Sequence, residues 1–365
     1  MNSLRIAILG TRGIPNQYGG FEQAATFISK GLVARGHSVF VYNAHNHPFQ
    51  KSVYEGVNII HCHDPEKTLK TAGQFIYDLN CIRDAARKNF DVILFMGYTS
   101  SSILWHFYPK NSAIVYNMDG LEWKRSKYSF AVRHFLKWAE KLAVNHSHSL
   151  IADSVGIKNY LQNNYGALST FIPYGANIPA SYSNTYLQKW KLLPYQYYLA
   201  MARMEPENNI EMIIEGYLLS KSSHPLIIIG NTNNRYGNYL QKKYESQAVI
   251  FTGGLYETGT VDSLRHYSSI YFHGHSVGGT NPSLLEAMAA ECYIAAHNNE
   301  FNQSVLEEHA DYFSSAQDIR EILLKEIPNE QRQLRSQMNI KKIQEVYNWE
   351  MVIEAYEQVC ISVRK

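Results

Sequence analysis

The sequence predicts an α/β protein built from two doubly wound parallel-sheet domains, and three observations support this prediction. The chain has 365 residues, more than one ordinary hydrophobic core accommodates, so two domains are expected. Hydrophobic residues make up 45% and charged residues 18% of the chain, which is typical of a globular protein. Short apolar runs alternate with amphipathic helical patterns, and this alternation indicates βαβ units.

The apolar runs of the first half have the length of buried strands. We expect strands at 4–9, 38–43, 57–61, 91–96, 113–117 and 149–152. The segment FEQAATFISKGLVARG after the first run predicts a helix that ends at the C-cap residue Gly36.

The alternation stops at 173–196 and then restarts. Three prolines and no clear period make 173–196 a linker by composition. Further strands are expected at 197–202, 225–230, 248–253, 269–274 and 292–297. The terminal segment 329–363 is expected to be helical, with a break near Tyr347 and Trp349. Two such domains create a cleft, and ligands of doubly wound sheets bind at the carboxyl ends of the strands.

The bulk properties exclude several classes of protein. A net charge of +2 is too small to indicate a nucleic-acid partner. None of the four cysteines forms a CxxC pair, so a zinc or redox site is not indicated. Because the opening MNSLRIAILG lacks a signal-peptide core and no apolar stretch is long enough to span a bilayer, we expect a cytoplasmic protein.

The segment HSVGGTNPSLLEAM, at 275–288, follows a predicted strand and opens a helix. Glycines let the backbone approach a ligand, and a helix N-terminus attracts anions. Phosphate at 278–283 and a ribose on Glu286 are therefore one interpretation. An ordinary glycine loop, with Glu286 stabilising its own helix, is the other.

Arg203 follows the first strand of the second half, where its planar fork would suit a diphosphate. The alternative is a surface arginine paired with Glu205 or Glu207.

Two loops of the first half carry further candidates. The loop 9–22 has glycines at 10, 13, 19 and 20, a spacing that does not match the dinucleotide turn and that favours a mobile cover over a ligand. In the segment 116–128, Asp119 and Glu122 follow a strand end, where a carboxylate could contact a sugar hydroxyl or a developing charge. Asp119 could equally be a helix cap.

The segment 121–150 is basic and aromatic. It has six lysines and arginines against two glutamates, interleaved with Trp123, Phe130, Phe135 and Trp138. Such a helix suits an anionic membrane surface, and a plain solvated helix is the alternative.

His273 and His275 form an HxH pair, but the sequence indicates no third ligand, so a sugar contact from His275 is favoured over a metal.

Together these motifs resemble the retaining glycosyltransferase family 4, which has the GT-B fold. The resemblance covers nearly the whole chain and lies in PNQYGGFEQAATFISKGLVARGHSVFVY, AMARMEPENNIEMIIEGY, GGTNPSLLEAMAAE and YNWEMVIEAYEQV. It implies an acceptor domain at 1–178, a nucleotide-sugar domain at 179–345 and a terminal helix, 346–365, that crosses back. The wording GTRGIPNQYGGFE, MDGLEWKRSKY and HSVGGTNPSLLEAM is similar to the branch of bacterial capsule and exopolysaccharide rhamnosyltransferases.

The resemblance implies sugar transfer from a nucleoside-diphosphate sugar to a glycan or lipid-linked acceptor, without a metal or other cofactor. Its catalytic residues would be Asp119, Arg203 and Glu286. Its donor-binding residues would be Gly19, Gly20, Arg203, His275, Gly278, Gly279, Thr280, Asn281, Ser283 and Glu286. Its acceptor- or sugar-side residues would be Arg12, Tyr18 and Glu122.

Three positions depart from the family pattern. Asn208 stands where a second basic residue is usual, Gly278 where an acidic residue is usual, and Asp119 where many members have a histidine. These departures leave a non-catalytic nucleotide-sugar-binding scaffold as one alternative. A nucleotide-sugar epimerase of the same fold is another, although no carboxylate pair points to it. An NAD dehydrogenase is disfavoured by the glycine spacing.

Overall fold

The structure is a computed structural model that describes residues 3–17, 19–118, 120–124, 128–255 and 257–364. Its internal contacts divide the chain into two compact units. The first unit comprises Met1–Tyr174 together with Trp349–Lys365, and the second comprises Gly175–Asn348.

Strands and helices alternate through the first part of the chain. They are β1 (Arg5–Leu9), α1 (Gly20–Ala34), β2 (Ser38–Ala44), β3 (Val53–Tyr54), β4 (Val57–Cys62), α2 (Glu66–Leu69), α3 (Thr71–Ala85), β5 (Val92–Met96), β6 (Ala113–Asn117), α4 (Phe130–His146), β7 (Ser149–Ala152), α5 (Val155–Tyr165) and β8 (Thr170–Phe171). Two 3-10 helices, Ser102–Phe107 and Glu122–Lys124, precede and follow β6.

The alternation continues through the rest of the chain. The elements are β9 (Tyr198–Met201), α6 (Ile210–Ser220), β10 (Leu226–Ile229), α7 (Arg235–Tyr244), β11 (Val249–Gly253), α8 (Thr258–His266), β12 (Ile270–His273), α9 (Pro282–Ala289), β13 (Ile294–His297), α10 (Glu300–Leu306), β14 (Asp311–Phe313), α11 (Ala316–Leu324), α12 (Asn329–Glu345) and α13 (Trp349–Ser362). Two 3-10 helices, Asn184–Trp190 and Pro206–Asn208, precede and follow β9.

Within the described residues, the first unit contains an eight-stranded sheet in the order β3-β4-β2-β1-β5-β6-β7-β8. Its strands run parallel, apart from β3, which pairs antiparallel with β4. β1 lies at the centre, and the chain winds outward from it in both directions. This is the doubly wound arrangement that the apolar runs predict.

Within the described residues, the second unit contains a six-stranded sheet in the order β11-β10-β9-β12-β13-β14, and all of its pairs are parallel. β9 lies between β10 and β12, so the winding direction changes beside it. Helices α6 and α11 bury one face of this sheet, through residues such as Ile213, Ile228, Phe272 and Ile319. The predicted fold class, with two doubly wound parallel sheets, is confirmed.

Helix α13 packs on α1 within the first unit. Trp349 stacks on Phe27, with ring centroids 4.3 Å apart. A Cβ atom on Gly31 would lie 2.4 Å from Cδ1 of Ile353, so glycine at 31 allows the two helices to approach closely. The buried carboxylate of Glu357 accepts a hydrogen bond from Arg35 at 2.7 Å and contacts the His37 ring at 2.9 Å.

The segment predicted to be a linker is more ordered than its composition indicates. It contains the 3-10 helix Asn184–Trp190, and Leu187 in that helix is buried. No helix in the described part of the chain combines the length and apolar character that crossing a bilayer requires.

Candidate functional site

Two of the predicted motifs meet at the carboxyl edge of the second sheet. β9 and β12 are parallel neighbours, with Ala200 opposite Phe272, so the loops after them leave the same edge. The loops are also bonded to each other. The backbone N–H and the hydroxyl of Ser276 both donate to the carbonyl of Glu207, at 3.0 and 2.8 Å, and the Asn209 amide donates to the carbonyl of Gly274 at 2.8 Å.

Gly274 allows this close approach, and sequence reasoning missed it. A Cβ atom at 274 would lie 2.1 Å from the carbonyl oxygen of Asn208, which is shorter than any tolerable contact. The signal in the sequence is the glycine of FHGHS, which directly follows the end of β12. The interpretation from the sequence rested on the glycine pair at 278–279 instead.

Arg203 lies two residues beyond the end of β9, and its side chain is exposed. Its carbonyl accepts hydrogen bonds from the backbone N–H of Glu205 and from the Asn208 side-chain amide, both at 2.8 Å. Asn208 is buried, so the residue at the position of the family's second basic side chain closes a turn behind Arg203.

The N-terminus of α9 is already capped. The Asn281 side-chain oxygen accepts from the backbone N–H of Ser283 at 3.0 Å and from its hydroxyl at 2.9 Å. This cap occupies one of the amides that the sequence assigns to phosphate. Ahead of the cap, Gly278 has φ of +128°, with open space where a Cβ atom would be, and Thr280 is buried.

Glu286 forms an ion pair with Arg265 of α8, a residue that sequence reasoning missed. Nη2 of Arg265 lies 2.6 Å from Oε2 of Glu286, and Nη1 lies 3.2 Å from Oδ1 of Asp262. The Arg265 side chain is 2% exposed and that of Glu286 is 30% exposed. Burial raises the pKa of Asp262, and Glu286 adds to this increase, whereas Arg265 opposes it.

His273 and His275 stack with ring centroids 4.4 Å apart. His273 is fully buried, and burial holds its pKa well below 6.5, with His275 and His297 acting in the same direction. The ring is therefore neutral near pH 7. Elsewhere, the ligand atoms of Glu307, Glu308 and His309 lie within 4.8 Å of one another, although exposed acids commonly cluster without an ion.

In the first unit, the predicted residues lie around the loop after β1. The Arg12 backbone N–H donates to the buried carboxylate of Glu22 at 3.0 Å, and its guanidinium pairs with Glu66 at 2.6 Å. Gly19 is the N-cap residue of α1 and Gly20 its first residue.

Glu122 begins a 3-10 helix after β6 and is partly exposed. The predicted sites Tyr18 and Asp119 lie outside the described residues.

The first part of the loop 9–22 is hydrogen-bonded to β2 of the sheet. The Asn43 side chain accepts from the backbone N–H of Ile14 at 3.0 Å and donates to its carbonyl at 2.8 Å. Gly13, with φ of +121°, leaves room for this amide, since a Cβ atom there would lie 2.3 Å from Cγ of Asn43.

Helix α4 separates its charges by face. Its one carboxylate, Glu140, is buried and accepts hydrogen bonds from three tyrosine hydroxyls, Tyr160 and Tyr165 at 2.7 Å and Tyr98 at 3.2 Å. The exposed face consists of Phe130, His134, Lys137, Trp138, Lys141 and Asn145. This face carries basic and aromatic side chains without an acid.

Comparisons with known proteins agree with this architecture. Residues 4–177 match the family described as "Domain of unknown function (DUF1972)", and residues 185–344 match "Glycosyl transferases group 1". A search of curated proteins gives no match.

Similar solved structures cover 98% or more of the chain at low sequence identity. Sucrose-phosphate synthase from Thermosynechococcus elongatus is 17% identical with a TM-score of 0.78, covering 98% of both chains. HepE from Anabaena, solved in complex with UDP-glucose, is 14% identical with a TM-score of 0.77, covering 98% of this chain and 100% of its own. A glycosyltransferase from Rickettsia africae is 14% identical with a TM-score of 0.72, covering 100% of both chains. The fold of the chain and the group 1 domain at 185–344 together support a GT-B glycosyltransferase.

Proposed function

We propose that the protein is a retaining glycosyltransferase of family 4 that transfers rhamnose from a nucleoside-diphosphate sugar to a glycan or lipid-linked sugar in bacterial surface polysaccharide synthesis. The observation that carries the proposal is the bonded pair of loops after β9 and β12, which sets Arg203 and the start of α9 at one edge of a group 1 domain. The HepE structure with UDP-glucose supports a nucleotide-sugar donor.

In this proposal, Arg203 binds the diphosphate. Its side chain is exposed, and a guanidinium fork suits two phosphate oxygens. Because Asn281 caps the amide of Ser283, we assign the helix-terminal phosphate contact to the loop backbone at Gly278 and Gly279, where the dipole of α9 also acts. Removing one preorganised donor of this kind typically costs about 2.7–4 kcal/mol of transition-state stabilisation.

These groups stabilise the negative charge of the leaving diphosphate, and we propose that transfer needs no metal. The bond from the sugar carbon to the phosphate oxygen breaks, and the acceptor oxygen bonds to the same face of that carbon. The proton of the acceptor hydroxyl passes to the departing phosphate oxygen. We assign stabilisation of the positive sugar carbon to Asp119, a sugar contact to His275 and the ribose hydroxyls to Glu286. Arg12, Tyr18 and Glu122 are assigned to the acceptor or sugar side.

A thermal-shift panel with dTDP, UDP, GDP and their sugars tests the donor assignment. A ligand that binds only the folded protein raises stability by RT ln(1 + [L]/Kd). We expect one base to give a clear shift, Arg203→Ala to abolish it, and the matched exposed variant Arg87→Ala to retain it. An unchanged shift in Arg203→Ala would remove the diphosphate site. Isomerised nucleotide-sugar formed without acceptor would instead indicate an epimerase.

The exposed face of α4 supports a second part of the proposal, which is association with the cytoplasmic surface of an anionic membrane. Phe130 is 78% and Trp138 51% exposed, and Lys137 and Lys141 lie on the same face. Aromatic side chains insert at the level of the lipid headgroups, and each lysine contributes about 1 kcal/mol near an anionic surface.

Vesicle flotation tests this association. We expect salt-sensitive binding to phosphatidylglycerol vesicles and little binding to phosphatidylcholine vesicles. Lys141→Glu should weaken the partition coefficient about tenfold or more, and Lys242→Glu on α7 should leave it unchanged. Equal flotation of the Lys141→Glu and Lys242→Glu variants would contradict the assignment of α4.

A further inference from the structure

A buried guanidinium, that of Arg265, forms an ion pair with Glu286. Arg265 is 1% exposed and makes three contacts, to Glu286 at 2.6 Å, to Asp262 at 3.2 Å and to the sulfur of Met201 at 3.3 Å. These contacts come from α9, from its own helix α8 and from the end of β9. Glu286 is the one carboxylate of the set with a substantially exposed side chain, 30% against 16% for Asp262.

This arrangement is better suited to fixing geometry than to stabilising the fold. Removing a guanidinium and two carboxylates from water costs several kcal/mol per ion, and apolar residues of equal volume often serve stability as well or better. Burial lowers the pKa of Arg265, but the charges of Glu286 and Asp262 raise it by more than burial lowers it. The net pKa is therefore raised, and the side chain stays charged. What the ion pair adds is a fixed position for one oxygen of Glu286.

We propose that Arg265 is a positioning residue for nucleoside binding. It holds Oε2 of Glu286 so that this partly exposed side chain presents its carboxylate to the hydroxyls of the donor ribose. An ionised carboxylate has about four acceptor sites, so one oxygen can bind Arg265 while the group also accepts from a ligand. The inference rests on the proposed function, in which Glu286 binds the ribose.

The charge balance explains why a neutral residue would not serve. With Arg265 replaced by methionine, Asp262 and the partly exposed Glu286 would lose the guanidinium that both contact, while their mutual repulsion would remain. Glu286 would then turn toward water. It would lose its orientation toward the ribose hydroxyls, whereas phosphate contacts on the neighbouring loops would persist.

The test compares ligands with and without hydroxyls on the nucleoside sugar. Dissociation constants are measured by calorimetry for UDP and GDP against their 2′,3′-dideoxy forms, which lack both hydroxyls. For dTDP, which has only the 3′-hydroxyl, the comparison is with 2′,3′-dideoxy-TDP. We expect the native protein to prefer the parent diphosphate at least tenfold, because hydrogen bonds to a charged group are strong. In Arg265→Met, we expect this ratio to fall to about threefold or less.

Two further variants keep the test decisive. Arg265→Lys retains the buried charge but lacks the fork, so it should fold and show an intermediate ratio. Arg332→Met removes a half-buried arginine of the same unit, which donates to the Ser269 carbonyl at 2.6 Å. Because Arg332 has only a structural role, this control should change the melting temperature without changing the ratio of dissociation constants between the two ligands.

The outcomes separate the two claims. Suppose that the native protein prefers the parent ligand and that Arg265→Met retains the full ratio of dissociation constants. Arg265 then has no positioning role. If the Arg265→Met variant does not fold, the same result in Arg265→Lys leads to the same conclusion. If the native protein binds both ligands of each pair equally, the ribose assignment of Glu286 fails first, and the inference fails with it. A diphosphate site on Arg203 would stand in either case.

Discussion

Asp78→Asn should change the pH dependence of stability in a way that the structure specifies. Asp78 lies on α3, is 4% exposed, and accepts a hydrogen bond from the Ser100 hydroxyl at 2.5 Å. Burial raises the pKa of Asp78 from 3.8 to about 7; Ser100 acts against this increase, and Asp64 adds to it.

The sign follows from proton linkage. Because the folded pKa lies above the unfolded one, the folded state binds more protons between about pH 4 and pH 7, and stability falls as pH rises through that range. Below this range the carboxyl is protonated in both states. From the two pKa values, the penalty grows by about 2.5 kcal/mol between pH 5 and pH 8. Asparagine has no such penalty.

Urea unfolding followed by circular dichroism at pH 5 and pH 8 measures this effect. The free energy of unfolding of Asp78→Asn, relative to the native protein, should increase by about 2.5 kcal/mol from pH 5 to pH 8. Asp318→Asn is the matched control. Backbone hydrogen bonds from Ser314 and Ser315 lower the pKa of Asp318, so that carboxylate stays ionised throughout this range. Its substitution should cost the same at both pH values. Parallel curves for Asp78→Asn and the native protein would refute the reasoning.

Three other substitutions test packing and charge. Gly274→Ala forces a methyl group against the carbonyl of Asn208, so we expect a loss of about 1–3 kcal/mol in urea unfolding and weaker nucleotide binding; native stability would contradict the packing. Glu140→Gln replaces a carboxylate that accepts hydrogen bonds from tyrosine hydroxyls with an amide, whose nitrogen can only donate. This substitution should lower the free energy of unfolding by about 1–3 kcal/mol. Glu357→Gln breaks the ion pair with Arg35 and should lower the melting temperature at pH 7. Hydrogen bonds from His37 and Arg35 hold the pKa of Glu357 below 4.5, so the difference in melting temperature from the native protein should be smaller below pH 4. A difference that stays constant with pH would argue against this pair.

Strand positions were predictable because most strands here are buried on both faces and appear as apolar runs. The prediction of a strand at 113–117 is met by β6 with the same bounds, and all five of its residues are buried. β3 and β8 have two residues each, too few to form a pattern. β14, with the sequence DYF, lacks an apolar run and was also missed. The break near Tyr347 is confirmed, since α12 ends at Glu345 and α13 begins at Trp349.

The candidate site was partly predictable for a related reason. Arg203 and the loop at 275–283 could be located because both follow strands, and parallel strands deliver their ends to one edge. Arg265 could not, because it lies inside α8, and its partner Glu286 is 21 residues away in the sequence. The role of Asn281 was not predictable either. Its side chain could cap α9 or contact a phosphate, and composition does not distinguish these two roles.

The packing of α13 on α1 affects the order in which the chain can fold during synthesis. The second unit is translated in full before α13, so it can fold on the ribosome while Phe27 and Gly31 still lack their covering helix. Until α13 follows, the first unit lacks the helix that packs on α1, and Phe27 lacks its stacking partner Trp349. A chain interrupted before Trp349 would keep a complete second unit beside an incomplete first one.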